Sequence, residues 1–268
     1  EFGYAPFGYL GRAKPLWTLY RAVVGKRTLS AADTVVVISP QEEAALCADG
    51  FRPRHVELIP PGIDPDAFLP RRESPFEKRG LIGKSVIFFA GRLARAKGLD
   101  LALRALPNIV REIPTAHLAI AGEDFGEQGG LKALAGTLGV SSAITWLAKL
   151  PREELLAAYQ HALVFVFPSR YEAFGIAVLE AQAAGCPVVA ANASALPFLV
   201  SDGETGLLSR PEDPEHLAAA LLRLLNDRPL AERLARSGRA RVLRDFTWNR
   251  SIERLRALYT DLTHENAA

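Results

Sequence analysis

Two glutamates eight positions apart, Glu172 and Glu180, bracket the stretch YEAFGIAVLE at residues 171–180. Glu172 stands just before Phe174-Gly175, where the apolar run ALVFVF at 162–167 gives way to a helical pattern. A carboxylate there repels phosphate. It suits sugar hydroxyls, whose hydrogen bonds to a charged acceptor are worth about 1.5–3 kcal/mol each before desolvation. Gly175 lets a backbone approach a ligand closely, and the N–H groups after it point out of a helix end. Glu180 falls inside the helix, among Val178, Leu179, Ala181 and Ala183. A carboxylate in such surroundings needs a partner. A ribose diol is one candidate; Arg92 or Lys97 is the other.

A second cluster is AGRLARAKGLD at 90–100, which follows the apolar run at 85–89 and opens a helix. A helix N-terminus offers free N–H groups and partial positive charge, and Arg92 and Lys97 add two full cations. That combination fits a diphosphate; the plainer account is two surface cations beside a turn. Taken together, the two clusters predict one carboxylate for a sugar, one for a ribose, and a diphosphate between them.

The elements that must position these groups can be read from the apolar runs. TVVVIS (34–39), VELIP (56–60), SVIFFAG (85–91), AHLAIAG (116–122), AITWL (143–147), ALVFVF (162–167) and PVVAAN (187–192) are apolar at nearly every position. That is the pattern of strands covered by helices on both faces of a parallel sheet. Helices are predicted between them at 98–113, 130–139, 152–160 and 175–185, and after them at 213–226, 229–244 and 248–263. Asp213-Pro214 supplies a cap and a first-turn proline, and Gly185 with Pro187 supplies a stop. The alternation predicts an α/β fold, a doubly wound parallel sheet of Rossmann-like type.

The segment 59–75, rich in proline, reads as an interdomain linker. Residues 1–58, with helices at about 14–30 and 40–49 and two strands, read as the tail of an incomplete domain, since two strands do not make a self-sufficient sheet. Residues 76–246 read as the ligand-binding domain, and 247–268 as a C-terminal helix that packs back toward the N-terminal domain. The chain contains no methionine, so the expectation is that its natural start is absent or was removed.

Composition narrows the class. No run of about 18 apolar residues exists, so no membrane-spanning helix is expected, and no signal peptide is visible. Cys47 and Cys186 match no metal or redox spacing, which predicts a reduced, cytoplasmic setting. The net charge of +2 says little by itself, and no nucleic-acid partner is expected. Between Arg223 and Arg256, ten arginines face four acids. Such a surface is compatible with peripheral contact at an anionic membrane, although solvated helices are the simpler account. Asp64-Pro65-Asp66 spells a D-x-D metal motif but lies in the proline-rich segment, where turn and cap chemistry explains it. Gly3, Gly8 and Gly11 follow no strand and make no phosphate loop. The five histidines show no metal spacing.

The motifs AGRL-x4-KG, FPSRYEAFGIAVLEAQAAGCPVVA and SDGETGLL together resemble the donor-binding domain of family-four retaining glycosyltransferases of GT-B architecture. The resemblance runs from about residue 30 to the end. It implies that Arg92 and Lys97 hold the donor diphosphate and stabilise the leaving group, that Glu172 meets the transferred sugar, and that Glu180 meets the ribose. Main chain at Gly91, Phe174, Gly175 and Ile176 would line the donor site, and Leu150, in the Ala148-Lys149-Leu150 loop, would read the base. Pro151-Arg152 offers no carboxylate to guanine, although Glu153 and Glu154 are near, which favours UDP over GDP.

The resemblance further implies a retaining transfer from a nucleotide sugar, with no metal and no separate cofactor, and an acceptor side supplied by a missing N-terminal domain or an equivalent chain. By itself the chain would bind donor without completing catalysis. The alternatives are a GT-B-like nucleotide-sugar epimerase and a non-catalytic nucleotide-sugar-binding or partner-binding module. Three positions depart from the family pattern: Pro61-Gly62 replaces Asn-Gly, Ala148 stands where glycine is common, and Phe198 stands where an acidic residue is common. The last leaves the shape of the sugar-side loop open.

Overall fold

The computed structural model describes residues 24–265. Gly3, Gly8, Gly11 and most of the helix expected at 14–30 lie outside them. The chain divides into two compact units, Ile63–Thr247 and a smaller one that combines Glu1–Gly62 with Trp248–Ala268.

The larger unit holds six strands: β3 (Ser85–Ala90), β4 (Ala116–Ala121), β5 (Ile144–Ala148), β6 (Val164–Phe167), β7 (Val188–Ala191) and β8 (Leu207–Ser209). All neighbours pair in parallel, in the order β5-β4-β3-β6-β7-β8. Every residue of β4, β6 and β7 is buried, as helices on both faces require. The helices are α3 (Leu99–Glu112), α4 (Gln128–Thr137), α5 (Arg152–His161), α6 (Ile176–Ala183), α7 (Leu196–Leu199), α8 (Pro214–Asn226) and α9 (Arg228–Asp245). One group packs α3 against α4 and α8; the other packs α6 against α5 and α9. Phe88 and Phe165 lie side by side on β3 and β6, both fully buried, and each meets Tyr159 of α5 edge-on. Burying a side chain of this size contributes about 1.5–3 kcal/mol, so this cluster helps pin α5 to the sheet centre.

The segment 59–75 is not a free linker. From Ile63 onward it belongs to the larger unit. Ile63 N donates to Phe246 O at 2.9 Å. Gln160 Nε2 donates to the carbonyls of Phe68 and Pro70 at 3.3 and 2.9 Å, Arg72 N donates to Gln160 Oε1 at 3.0 Å, and His161 Nε2 donates to Arg72 O at 2.7 Å. The prolines of this segment lack N–H groups but keep their carbonyls, and the end of α5 binds carbonyls here as well as Arg72 N. Asp64 Oδ1 accepts from Asp66 N at 3.0 Å and caps a one-turn 3-10 helix at Pro65–Phe68, which is the turn role expected of that D-x-D. The expected boundary at 76 therefore moves to 63.

In the smaller unit the described elements are α1 (Lys26–Ala31), β1 (Thr34–Val37), α2 (Pro40–Ala48), β2 (His55–Leu58) and α10 (Trp248–Glu265). β1 and β2 pair in parallel, and Val37, Leu46 and Phe51 form their core. Ser39 caps α2, accepting from Glu42 N at 3.2 Å, while Glu42 Oε2 accepts from Ile38 N at 2.8 Å. Ser251 on α10 donates to Pro60 O at 2.7 Å.

The basic stretch is not a bare cationic face. Arg228 and Arg236 pair with Glu232, and Arg244 pairs with Asp245. Arg241 donates to the carbonyls of Phe198 and Leu199 at 2.7 and 3.2 Å. Among the described residues, no helix is long and apolar enough to cross a membrane.

Candidate functional site

The strand order turns back on itself at the centre: β3 leads outward to β4 and β5, whereas β6 leads outward to β7 and β8. Ligands in such sheets bind beyond the carboxyl ends of the strands at this switch point. β3 runs into Gly91-Arg92, and β6 runs into the loop that carries Glu172. The two motif clusters are therefore neighbours in space.

The first turn is built around Gly98. A one-turn 3-10 helix at Arg95–Lys97 ends there, with φ +65°, and α3 begins. A Cβ at Gly98 would lie 1.9 Å from Pro168 O, so only glycine lets the two junctions meet. Across this approach, Arg170 N donates to Ala96 O at 2.8 Å, and the Ser169 hydroxyl donates to Ala96 O and Tyr171 O at 3.0 and 2.9 Å.

Arg170 binds the two turns together. Its guanidinium donates to Asp100 at 2.7 and 2.9 Å, to Glu212 at 2.6 and 2.9 Å, and to Arg95 O at 2.9 Å. Burial on its own would raise the Asp100 pKa, but the Arg170 hydrogen bonds and charge outweigh it and hold the carboxyl below its ordinary value.

Lys97 and Glu172 form an ion pair across this junction, with side chains only 12% and 16% exposed. Lys97 Nζ also lies 5.6 Å from the centre of the Phe167 ring. The main chain of Glu172 is held by a third loop: its carbonyl accepts from Ser194 Oγ at 2.8 Å and from Ala195 N at 3.3 Å, with Ser194 at φ +54°. Arg92 is exposed on the same side, its guanidinium 5.4 Å from the Phe125 ring centre. Gly175 caps α6 at φ +111°; its carbonyl accepts from Val178 N at 2.9 Å, and the N–H groups of Ile176 and Ala177 before it have no intrahelical acceptor.

Phe174 is buried against Phe198 and Phe246, with ring centroids 6.5 and 6.2 Å away. The aromatic at 198, where the family pattern has an acid, therefore completes a cluster that backs the loop carrying Glu172.

Glu180 is buried, and its partner is neither Arg92 nor Lys97. Arg152 Nη1 donates to Oε1, and Tyr159 Oη donates to Oε2 at 3.1 Å. Burial, reinforced by the Glu180 charge, pushes the Tyr159 pKa well above its ordinary value, so the phenol stays protonated and donates. Arg152 and Tyr159 both come from α5; spacing read along the chain passed over them because helix-to-helix contacts leave no periodic signal. Leu150 is half-buried in the preceding loop. Ala148, which ends β5 just before that loop, holds φ +54° and accepts from Gly122 N at 2.8 Å, a left-handed conformation that accounts for the glycine common there in the family.

Together the fold and site define a Rossmann-like unit of GT-B type. The model of the glycosyl transferases group 1 family matches residues 71–241, and that of glycosyltransferase family 4 matches residues 3–67. The chain belongs to this glycosyltransferase family. It is 36% identical over 257 residues to a D-inositol 3-phosphate glycosyltransferase of Acidothermus cellulolyticus, covering 91% of this chain and 57% of that protein. To the Corynebacterium jeikeium protein of the same name it is 34% identical, covering 90% of this chain and 60% of that one. The chain thus spans less than two thirds of these relatives. Among solved structures, sucrose-phosphate synthase from Thermosynechococcus elongatus superposes with a TM-score of 0.79 at 31% identity, over 92% of this chain and 62% of that one. HepE of Anabaena, solved in complex with UDP, superposes with a TM-score of 0.81 at 22% identity, over 98% of this chain and 70% of that one.

Proposed function

We propose that the larger unit binds the nucleoside-diphosphate sugar donor of a retaining glycosyltransferase, and that the transfer needs no metal. The observation that carries this reading is the Lys97–Glu172 pair, formed between residues 75 apart in sequence at the switch point of the sheet. In it a cation suited to phosphate and a carboxylate suited to sugar hydroxyls stand in direct contact. Arg92, Lys97 and the α6 N-terminus take the diphosphate and offset the charge that develops as it leaves. Glu172 accepts from the transferred sugar, and Glu180 from the ribose. Gly91, Phe174, Gly175 and Ile176 line the donor through main chain, and Leu150 faces the base.

In the reaction the bond from the sugar's anomeric carbon to the β-phosphate oxygen breaks. The acceptor oxygen bonds that carbon and gives up its proton to the departing β-phosphate oxygen, and the nucleoside diphosphate leaves. HepE binds UDP and UDP-glucose, which supports a uridine donor. The shared name of the curated relatives makes D-inositol 3-phosphate the first acceptor to assay. A neutral or weakly cationic surface turn would not need a carboxylate paired to its lysine, so this reading is preferred over a partner-binding module.

Calorimetry with UDP and UDP-glucose tests it. Arg92→Ala and Lys97→Ala should each weaken UDP by about tenfold or more, the loss of one charge-assisted contact. Glu172→Ala should weaken UDP-glucose more than UDP. A folded Lys97→Ala protein with unchanged UDP affinity would overturn the reading.

A further inference from the structure

Arg152 lies outside every motif that marks the donor site, yet it grips the carboxylate at the ribose end. Its guanidinium donates to Glu180 Oε1 on one side and sits 6.0 Å from the centre of the Phe68 ring on the other. Phe68 is buried and belongs to the capped turn at Pro65–Phe68. Tyr159 takes the other oxygen of Glu180. Arg152 and Tyr159 are seven residues apart on α5, two helical turns, and so project from one face of that helix. The Glu180 carboxylate is thereby clamped at both oxygens, by a buried phenol and by an arginine that remains 52% exposed.

We propose that Arg152 is a positioning residue of the ribose subsite, holding Glu180 in the rotamer that accepts the ribose 2′- and 3′-hydroxyls. The proposal rests on the donor-binding reading above. A carboxylate oxygen has two lone pairs, so each Glu180 oxygen keeps one acceptor site after its present partner is counted. Two such sites on one fixed, planar group match a cis-diol. The terminal torsion of a glutamate is broad and has no sharp well of its own. With Tyr159 alone, the carboxylate pivots about a single contact; with Arg152 added, its plane is set. The guanidinium does this through a single N–H, Nη1 on Oε1, with its carbon 6.0 Å from the Phe68 ring centre; a lysine ammonium reproduces the charge but not the fixed donor direction of the planar group. The contribution of Arg152 is therefore selective: it favours ligands that carry the diol and is indifferent to those without it.

The experiment compares UDP with 2′,3′-dideoxyuridine diphosphate by calorimetry, on the wild-type chain and on Arg152→Ala, Arg152→Lys and Glu180→Gln. Any effect of the Arg152 charge on the diphosphate is common to both ligands and cancels in their ratio. The wild type should prefer UDP by about tenfold or more. Arg152→Ala should lose most of that preference, Arg152→Lys should recover part of it, and Glu180→Gln should lose it. If Arg152→Ala keeps the wild-type preference while Glu180→Gln loses it, the positioning role is wrong and the ribose assignment stands. If the wild type shows no preference for the diol, the ribose assignment itself falls, and the role of Arg152 with it.

Discussion

The two ends of the candidate donor site hold their carboxylates in different ways. At the sugar end, the Lys97–Glu172 pair is only 12% and 16% exposed and sits on backbone that has little freedom. Gly98, Gly175 and Ser194 all have positive φ, and Ser169 and Arg170 tie the loop after β6 to the turn after β3. At the ribose end, the Arg152–Glu180 pair is made by side chains of two adjacent helices, one of them 52% exposed. On the proposed donor-binding reading, the contrast separates two tasks. Groups that meet developing charge act best when they need no rearrangement at the moment of reaction. Groups that only recognise the nucleoside can tolerate a looser, side-chain hold.

Gly98→Ala should break the sugar end outright. The new Cβ would fall 1.9 Å from Pro168 O, and the native φ of +65° disfavours any side chain. The expected loss is about 3 kcal/mol or more in denaturant unfolding. A variant that unfolds within about 1 kcal/mol of wild type would show that the two junctions are not locked by backbone.

Arg170→Ala should have the next largest effect, about 2 kcal/mol, because it leaves Asp100 part-buried beside lost donors. The effect should depend on pH. The Asp100 pKa is held below its ordinary 3.8 in the folded chain, so the stability it contributes is present above that value and is lost as pH falls through the lowered one. The gap between wild type and Arg170→Ala, measured by unfolding at stepped pH, should be widest near neutrality and close below about pH 4. A gap that widens on acidification would contradict the Arg170–Asp100 account.

Ala148→Gly probes the looser end and should have the smallest effect, of opposite sign. Relieving a non-glycine residue at φ +54° should stabilise by roughly 0.5–1 kcal/mol, read as a higher unfolding midpoint. A destabilised Ala148→Gly would mean that the base-side loop is as rigidly built as the sugar side, and the comparison would fail.

Much of this arrangement was legible in residue types and spacing. Each of the seven apolar runs became a parallel strand; β4, β6 and β7 are covered on both faces, as a run without alternation requires, whereas β1 and β2 keep exposed positions. β8 was not read: Leu207–Ser209 has three residues, too few for a periodic signal, and it exists because β7 presents an edge to pair with. The linker expected at 59–75 was misjudged for a related reason. Its prolines signal a break in regular structure, but they say nothing about whether Gln160 and His161 will bind its carbonyls.

What the sequence by itself determined is which groups stand at the carboxyl ends of the strands: Arg92 and Lys97 after β3, Glu172 after β6, and Glu180 one helical stretch further on. Local pattern suffices for that, since strand, turn and helix are each set by near neighbours. Which group touches which was decided only by the tertiary structure. Lys97 meets Glu172 because β3 and β6 pair directly although β4 and β5 come between them in the chain. Arg152 and Tyr159 meet Glu180 from 28 and 21 residues away because α5 packs against α6. Partner choice of this kind follows from strand order and helix packing, both of which are properties of the whole sheet and of no single segment.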